Sequence, residues 1–155
     1  MNLYCEKQDE NKAALYFKKV EDYYNLESVG IKKDIFLDRQ YVLAVRDYCE
    51  YLISKKKFNL VLKLLVNSKE LSISFKHDLP SINILIAKSY FEIKNFRSAK
   101  VLLNENLNSP FINYEERIKT LELMSSIYSF QNDTKNLLSV KDSLIYYKGF
   151  SQIVP

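Results

Sequence analysis

Few side chains in this chain of 155 residues are of a kind that does covalent or metal chemistry. His77, the only histidine, precedes Asp78, and any nucleophile–imidazole–carboxylate relay would have to run through it. The pair stands where a helix is about to start, so the simpler reading is a solvated loop residue. Cys5 and Cys49 lie far apart, with neither metal-ligand spacing nor a disulfide framework, and a reducing compartment suits them. Glu115 and Glu116 are adjacent, and adjacent helical residues diverge in direction. They suit the positive end of a helix dipole better than a paired-carboxylate site. Two glycines leave no phosphate-cradling loop. The expectation is a protein that is not an enzyme and carries no metal or cofactor.

Binding chemistry is the next possibility. Twelve tyrosines and nine phenylalanines would supply a stacking platform for single-stranded nucleic acid if they faced solvent. Tyr48, Phe58, Tyr90, Phe96 and Tyr128 instead recur at positions that face a core. The 23 basic residues are interspersed with 19 acidic ones for a net charge of +4, without the one-sided concentration of a nucleic-acid binder. The densest cluster, Lys55-Lys56-Lys57, falls at an expected helix–helix turn and reads as solvated. No apolar leader follows Met1, and the run Ile82–Ala87, broken by Asn83, is far too short to span a bilayer. A soluble, cytoplasmic chain with no nucleic-acid or membrane partner is expected.

The elements that carry these residues are helices. Two Gly and three Pro are too few for the tight turns of a β fold. Ile82, Leu85, Ile86, Tyr90 and Ile93 recur at helical spacing, as do Leu60 with Leu64, Val61 with Leu65, and Leu121, Met124, Ile127 and Tyr128. Asp78 before Pro80 reads as a cap with proline in the first turn. Asn113 with Glu116 resembles a capping box, and Asn95 and Asp133 each precede a fresh apolar run. The spacing predicts helices near 10–25, 34–55, 57–71, 79–94, 96–108, 114–131 and 133–147, with a stub near 2–8. Together they form one all-α domain over residues 1–155.

An internal repeat runs through them. Tyr48-Cys49-x-x-Leu52, Ile86-Ala87-x-x-Tyr90 and Met124-Ser125-x-x-Tyr128 are each 38 residues apart, as are Phe58, Phe96 and Thr134, and Val61, Ala99 and Leu137. A period held at both ends of each helix pair marks a repeat architecture. The stretch from Ile86 through Tyr90, Asn95-Phe96, Ala99 and Leu103 to Pro110 resembles a tetratricopeptide (TPR) motif. Ala87 and Ala99 are small where two helices cross, and Cys49 and Ser125 match Ala87 in the neighbouring repeats. Tyr4, Asp9, Glu10, Ala13, Phe17 and Val20 resemble the second half of an earlier repeat, separated from the next by an extra loop over Leu26–Lys33 that contains Gly30. Either the array starts with a shortened helix, or the chain is part of a longer protein. The 38-residue period exceeds the family's usual 34. Asn106 stands where a small apolar residue is usual, and Val61 and Leu137 are larger than the usual Ala.

The resemblance implies a TPR-like α-α superhelix, a right-handed solenoid of about three and a half hairpins. In that family the first helix of each hairpin lines a concave groove that grips a protein or peptide. Carried over by position, the groove comprises Leu43, Arg46, Glu50 and Ile53, then Ser81, Ile84, Lys88 and Phe91, then Lys119, Glu122, Ser126 and Ser129. Glu50 and Lys88 occupy the place where asparagines stand in the TPR proteins that clamp a terminal carboxylate, so that mode is not expected. The function implied is a protein–protein or protein–peptide interaction module. Two alternatives remain open. One is a peptide-responsive regulatory receptor. The other is the non-catalytic sensor region of a larger bacterial signalling protein, whose terminal repeats the run from Lys135 to Leu144 resembles. Tyr146 and Tyr147 would cap the last helix or meet a neighbour, and the tail Gly149–Pro155 is a candidate to fill the groove.

Overall fold

The computed structural model describes residues 10–28 and 35–151, and every regular element among them is an α-helix. α1 spans Glu10–Ser28, α2 Ile35–Ser54, α3 Phe58–Ser72, α4 Leu79–Glu92, α5 Phe96–Asn108, α6 Tyr114–Phe130 and α7 Thr134–Ser151. These bounds follow the periodic runs closely. The expected stub near 2–8, most of the extra loop and the last four residues of the tail lie outside the described residues. Leu26 and Gly149 belong to helices.

Three of the four expected caps form. The Asn113 side chain accepts the Glu116 N–H at 2.9 Å, and the Glu116 carboxylate accepts the Asn113 N–H at 3.0 Å, closing a capping box. Asn95 accepts from the Ser98 N–H and Asp133 from the Asn136 N–H, both at 3.2 Å. Asp78 is the exception. Its side chain makes no cap bond and accepts the Arg39 Nε–H at 2.8 Å instead. Two causes combine: a guanidinium is a stronger partner than a neutral amide, and φ −90°, ψ −19° at Asp78 departs from the extended backbone typical of a cap.

The turns within α2/α3, α4/α5 and α6/α7 share one conformation. Lys56, Lys94 and Asn132 sit in the left-handed region at φ 57°, 62° and 55°. The following N–H groups, of Lys57, Asn95 and Asp133, donate back to the carbonyls of Leu52, Tyr90 and Tyr128 at 2.9, 2.8 and 2.9 Å. This bond, spanning six residues, satisfies carbonyls that a helix end leaves open. The three left-handed residues are 38 apart, so the period is written in the backbone as well as in the side chains.

α2, α4 and α6 form the central layer. α4 packs on both α2 and α6 as well as on its sequence neighbours α3 and α5. Among the described residues α3 and α5 have no close backbone packing, and the solvent-side Lys69–Glu105 pair links them at 3.2 Å. The small residues are where the helices touch: Cys49, Ala87 and Ala99 have no exposed surface. Val61, larger, is equally buried. Leu60 and Ile93, expected on buried faces, are 40% and 42% exposed. Leu60 precedes the inward Val61 on its helix, and Ile93 lies past the last residue of α4. Aromatic pairs dock α1 on α2: Phe17 stacks on Tyr48 at 4.4 Å and Tyr24 on Tyr41 at 4.1 Å.

Candidate interaction groove

Each helix of the central layer buries one stripe of side chains in the core, Tyr48, Cys49 and Leu52 on α2 and Ile86 and Ala87 on α4. A second stripe, rotated away from the first, is left to line a shared face. There a cleft of about 540 Å³ opens, lined by Glu50 and Ile53 of α2, Ile84, Leu85 and Lys88 of α4, and Lys119, Glu122, Leu123 and Ser126 of α6. Seven of the twelve sequence-derived groove residues meet here.

The floor is apolar. Ile53, Ile84, Leu85 and Leu123 are half-buried, whereas Glu50, Lys88, Lys119, Glu122 and Ser126 are exposed around them. Leu85 and Leu123 were not among the groove positions. Leu85 read as core, and it does pack on the core while its remaining surface faces the cleft. Their signal was present all the same: they occupy one repeat position, 38 residues apart.

Two of the four charged residues on the rim, Lys119 and Glu122, are tied down by ion pairs. Lys119 Nζ lies 2.6 Å from a Glu115 carboxylate oxygen one helical turn back. That hydrogen bond holds the Lys119 ammonium above its usual range, against partial desolvation and with help from the fields of Glu115, Glu50 and Glu116. Glu115 is held correspondingly low by the same bond. Glu122 accepts from Lys148 of α7 at 2.7 Å. Lys88 makes no ion pair among the described residues.

Five expected residues fall elsewhere. Leu43 and Arg46 line a different cleft, of about 630 Å³ between α1 and α2, together with Tyr16, Tyr23, Tyr24, Tyr41 and others. Arg46 is turned onto Asp47 at 2.9 Å. Ser81 donates to the Asp78 carbonyl at 2.8 Å, and Phe91 packs on Phe96 with ring centroids 5.7 Å apart. Ser129 is exposed beyond the cleft. The reason is a slant. The lining falls at 50–53 on α2, at 84–88 on α4 and at 119–126 on α6; one and two 38-residue periods earlier, the last two ranges become 46–50 and 43–50. Packed helices cross at an angle, so equal repeat positions do not stay level along the row.

Cys49 and His77 lie in separate surroundings. Burial pushes the Cys49 thiol up to about 12, far from the thiolate that a nucleophile requires. His77 is exposed and meets Phe111 edge-on at 4.9 Å, while the neighbouring Asp78 is engaged with Arg39. Among the described residues no group of three His, Cys, Asp or Glu could hold a metal ion, and no helix is long and apolar enough to cross a membrane. Tyr147 packs edge-on against Tyr114 at 6.0 Å beneath the Arg117 guanidinium, which accounts for one of the two C-terminal tyrosines; Tyr146 stays 61% exposed. Compared with protein-family models, with curated proteins and with solved structures, the chain matches none of them.

Proposed function

We propose that this chain is a TPR-like helical solenoid that holds a segment of another protein against the face shared by α2, α4 and α6. The observation that carries the reading is the cleft itself, in which one helix from each hairpin contributes to a single apolar floor with a charged rim. Apolar anchors supply most of the energy of such contacts, and rim charges set register and partner choice. Two further features support a curved array. The same turn recurs every 38 residues, and the first helices of the hairpins pack on one another while the second helices do not.

Selection of a displayed random-peptide library on the immobilised protein tests this. Peptides enriched on the wild type should bind Leu123→Asp and Lys88→Glu at least about tenfold more weakly, the loss expected of an anchor or a complementary charge. Circular dichroism confirms that both variants remain folded. Enriched peptides that bind all three proteins equally would defeat the groove reading, as would a library that yields no binder at all.

A further inference from the structure

The turns that end α2, α4 and α6 lie along one edge of the molecule. α3 and α4 are packed neighbours joined by a short connection, so they run antiparallel and the start of α3 sits beside the end of α4. The same geometry brings Phe96, at the start of α5, to 5.0 Å from Phe130 at the end of α6. Within residues 53–60, 91–98 and 129–136 stand Lys55, Lys56, Lys57, Lys94, Arg97 and Lys135, against only Glu92 and Asp133. Six bases less two acids leaves +4, equal to the formal net charge of the entire chain. Asp133 is moreover engaged by the Asn136 side chain at 2.7 Å and by its N–H.

Folding alone favours other residues at most of these places. Lys56 and Lys94 adopt the left-handed conformation, where glycine is the cheaper residue. Lys57 occupies the N-cap of α3, and Arg97 and Lys135 lie in the first turns of α5 and α7. The helix dipole disfavours cations there, and none of these three helices has an acid in its first turn. Lys56, Lys94 and Arg97 make no ion pair among the described residues. The positive edge therefore answers to something other than the stability of the turns.

We propose that this edge docks an acidic, extended segment of a partner protein, independently of the groove. Five of the six bases are lysines, compact point charges suited to a diffuse carboxylate field. Single-stranded nucleic acid stacks on successive open aromatic faces, whereas of the edge's rings Phe58 and Phe96 are half-buried and Phe130 alone is exposed, with Lys94 Nζ 5.9 Å over it. Helices meet the edge end-on, so none can lay an apolar face into a bilayer surface. Touching helices are spaced by roughly 10 Å, and an extended chain covers that distance with about three residues. Acidic residues at that interval would follow the row of turns.

The probe is a short fluorescent peptide of repeated Glu-Gly-Gly, titrated by anisotropy at low salt into the wild type, into Lys56→Gly/Lys94→Gly, and into the charge-matched control Lys76→Gln/Lys141→Gln away from the edge. The glycine variant should melt at a higher temperature yet bind about fivefold more weakly, and the control should bind as the wild type does. Undiminished binding by the glycine variant, equal loss in the control, or no binding by the wild type overturns the proposal. So does tighter binding of oligothymidylate, or of vesicles containing phosphatidylglycerol, than of the peptide.

Discussion

Inside the core, Asn83 Nδ2 donates to Asn106 Oδ1 at 3.0 Å, at a repeat position where the neighbouring hairpins carry Val45 and Leu121. Asn106 Nδ2 in turn reaches the Pro80 carbonyl at 2.9 Å and Thr120 Oγ1 at 3.4 Å, so one amide joins α4, α5 and α6. Asn83 Oδ1 has no hydrogen-bond partner among the described residues. Removing one member strands the others: Asn106→Ala should cost about 3 kcal/mol through unpaired buried groups and a cavity. Asn83→Val/Asn106→Leu, which takes both amides away and fills the space, should cost no more than about 1 kcal/mol. Urea unfolding of the single and double variants measures the coupling; strictly additive losses would show that the two amides act separately.

Lys57 occupies the N-cap of α3 without a side-chain cap bond, whereas its counterparts Asn95 and Asp133 both cap their helices. Lys57→Asp should therefore stabilise the protein by about 1 kcal/mol, by capping α3 and by placing an anion at its positive end. Denaturant midpoints at unchanged slope would report it.

Cys49 is fully buried, and burial pushes its thiol up to about 12. In a Cys5→Ser background, Ellman's reagent should leave the native protein unmodified at pH 8 and react rapidly once denaturant unfolds it. Fast reaction under native conditions would mean that α2 opens locally.

Tyr24 donates to the buried Asp38 carboxylate at 2.6 Å, and its phenol is pushed from 10.0 up to about 12, by burial first and then by Asp38. The neutral phenol is the form the native state favours. Its contribution is therefore complete below pH 10 and is lost as pH rises from 10 through about 12. Tyr24→Phe should lower stability at pH 7, where Asp38 loses a donor, and should flatten the decline above pH 10. Cys49 and Tyr41 are also raised by burial, so the alkaline loss shrinks without vanishing. Thermal melts across that range check the slope.

Helix positions were legible because each rests on local information. Three-to-four spacing marks a buried stripe wherever it lies in the chain, and Asn95, Asn113 and Asp133 cap through bonds to residues three positions on. Asp78 carried the same local signal and failed because Arg39, 39 residues away, took its carboxylate. Likewise Asn106 read as a misfit in its repeat, and only the approach of Asn83 and Thr120 from other helices turned it into a satisfied junction.

The sequence alone determined the all-helical class, the hairpin unit and its 38-residue period, since these follow from spacing, small residues and chain reversals that neighbouring residues encode. Tertiary packing decided which parts of the repeat face a common cleft. The crossing of successive helices depends on the volumes wedged between them, such as Cys49 and Ala87 on α2 and α4, and a pattern along one chain carries no crossing angle. That is why Glu50 and Lys88 meet across the cleft while Leu43 and Arg46, in the same expected row, turn towards α1.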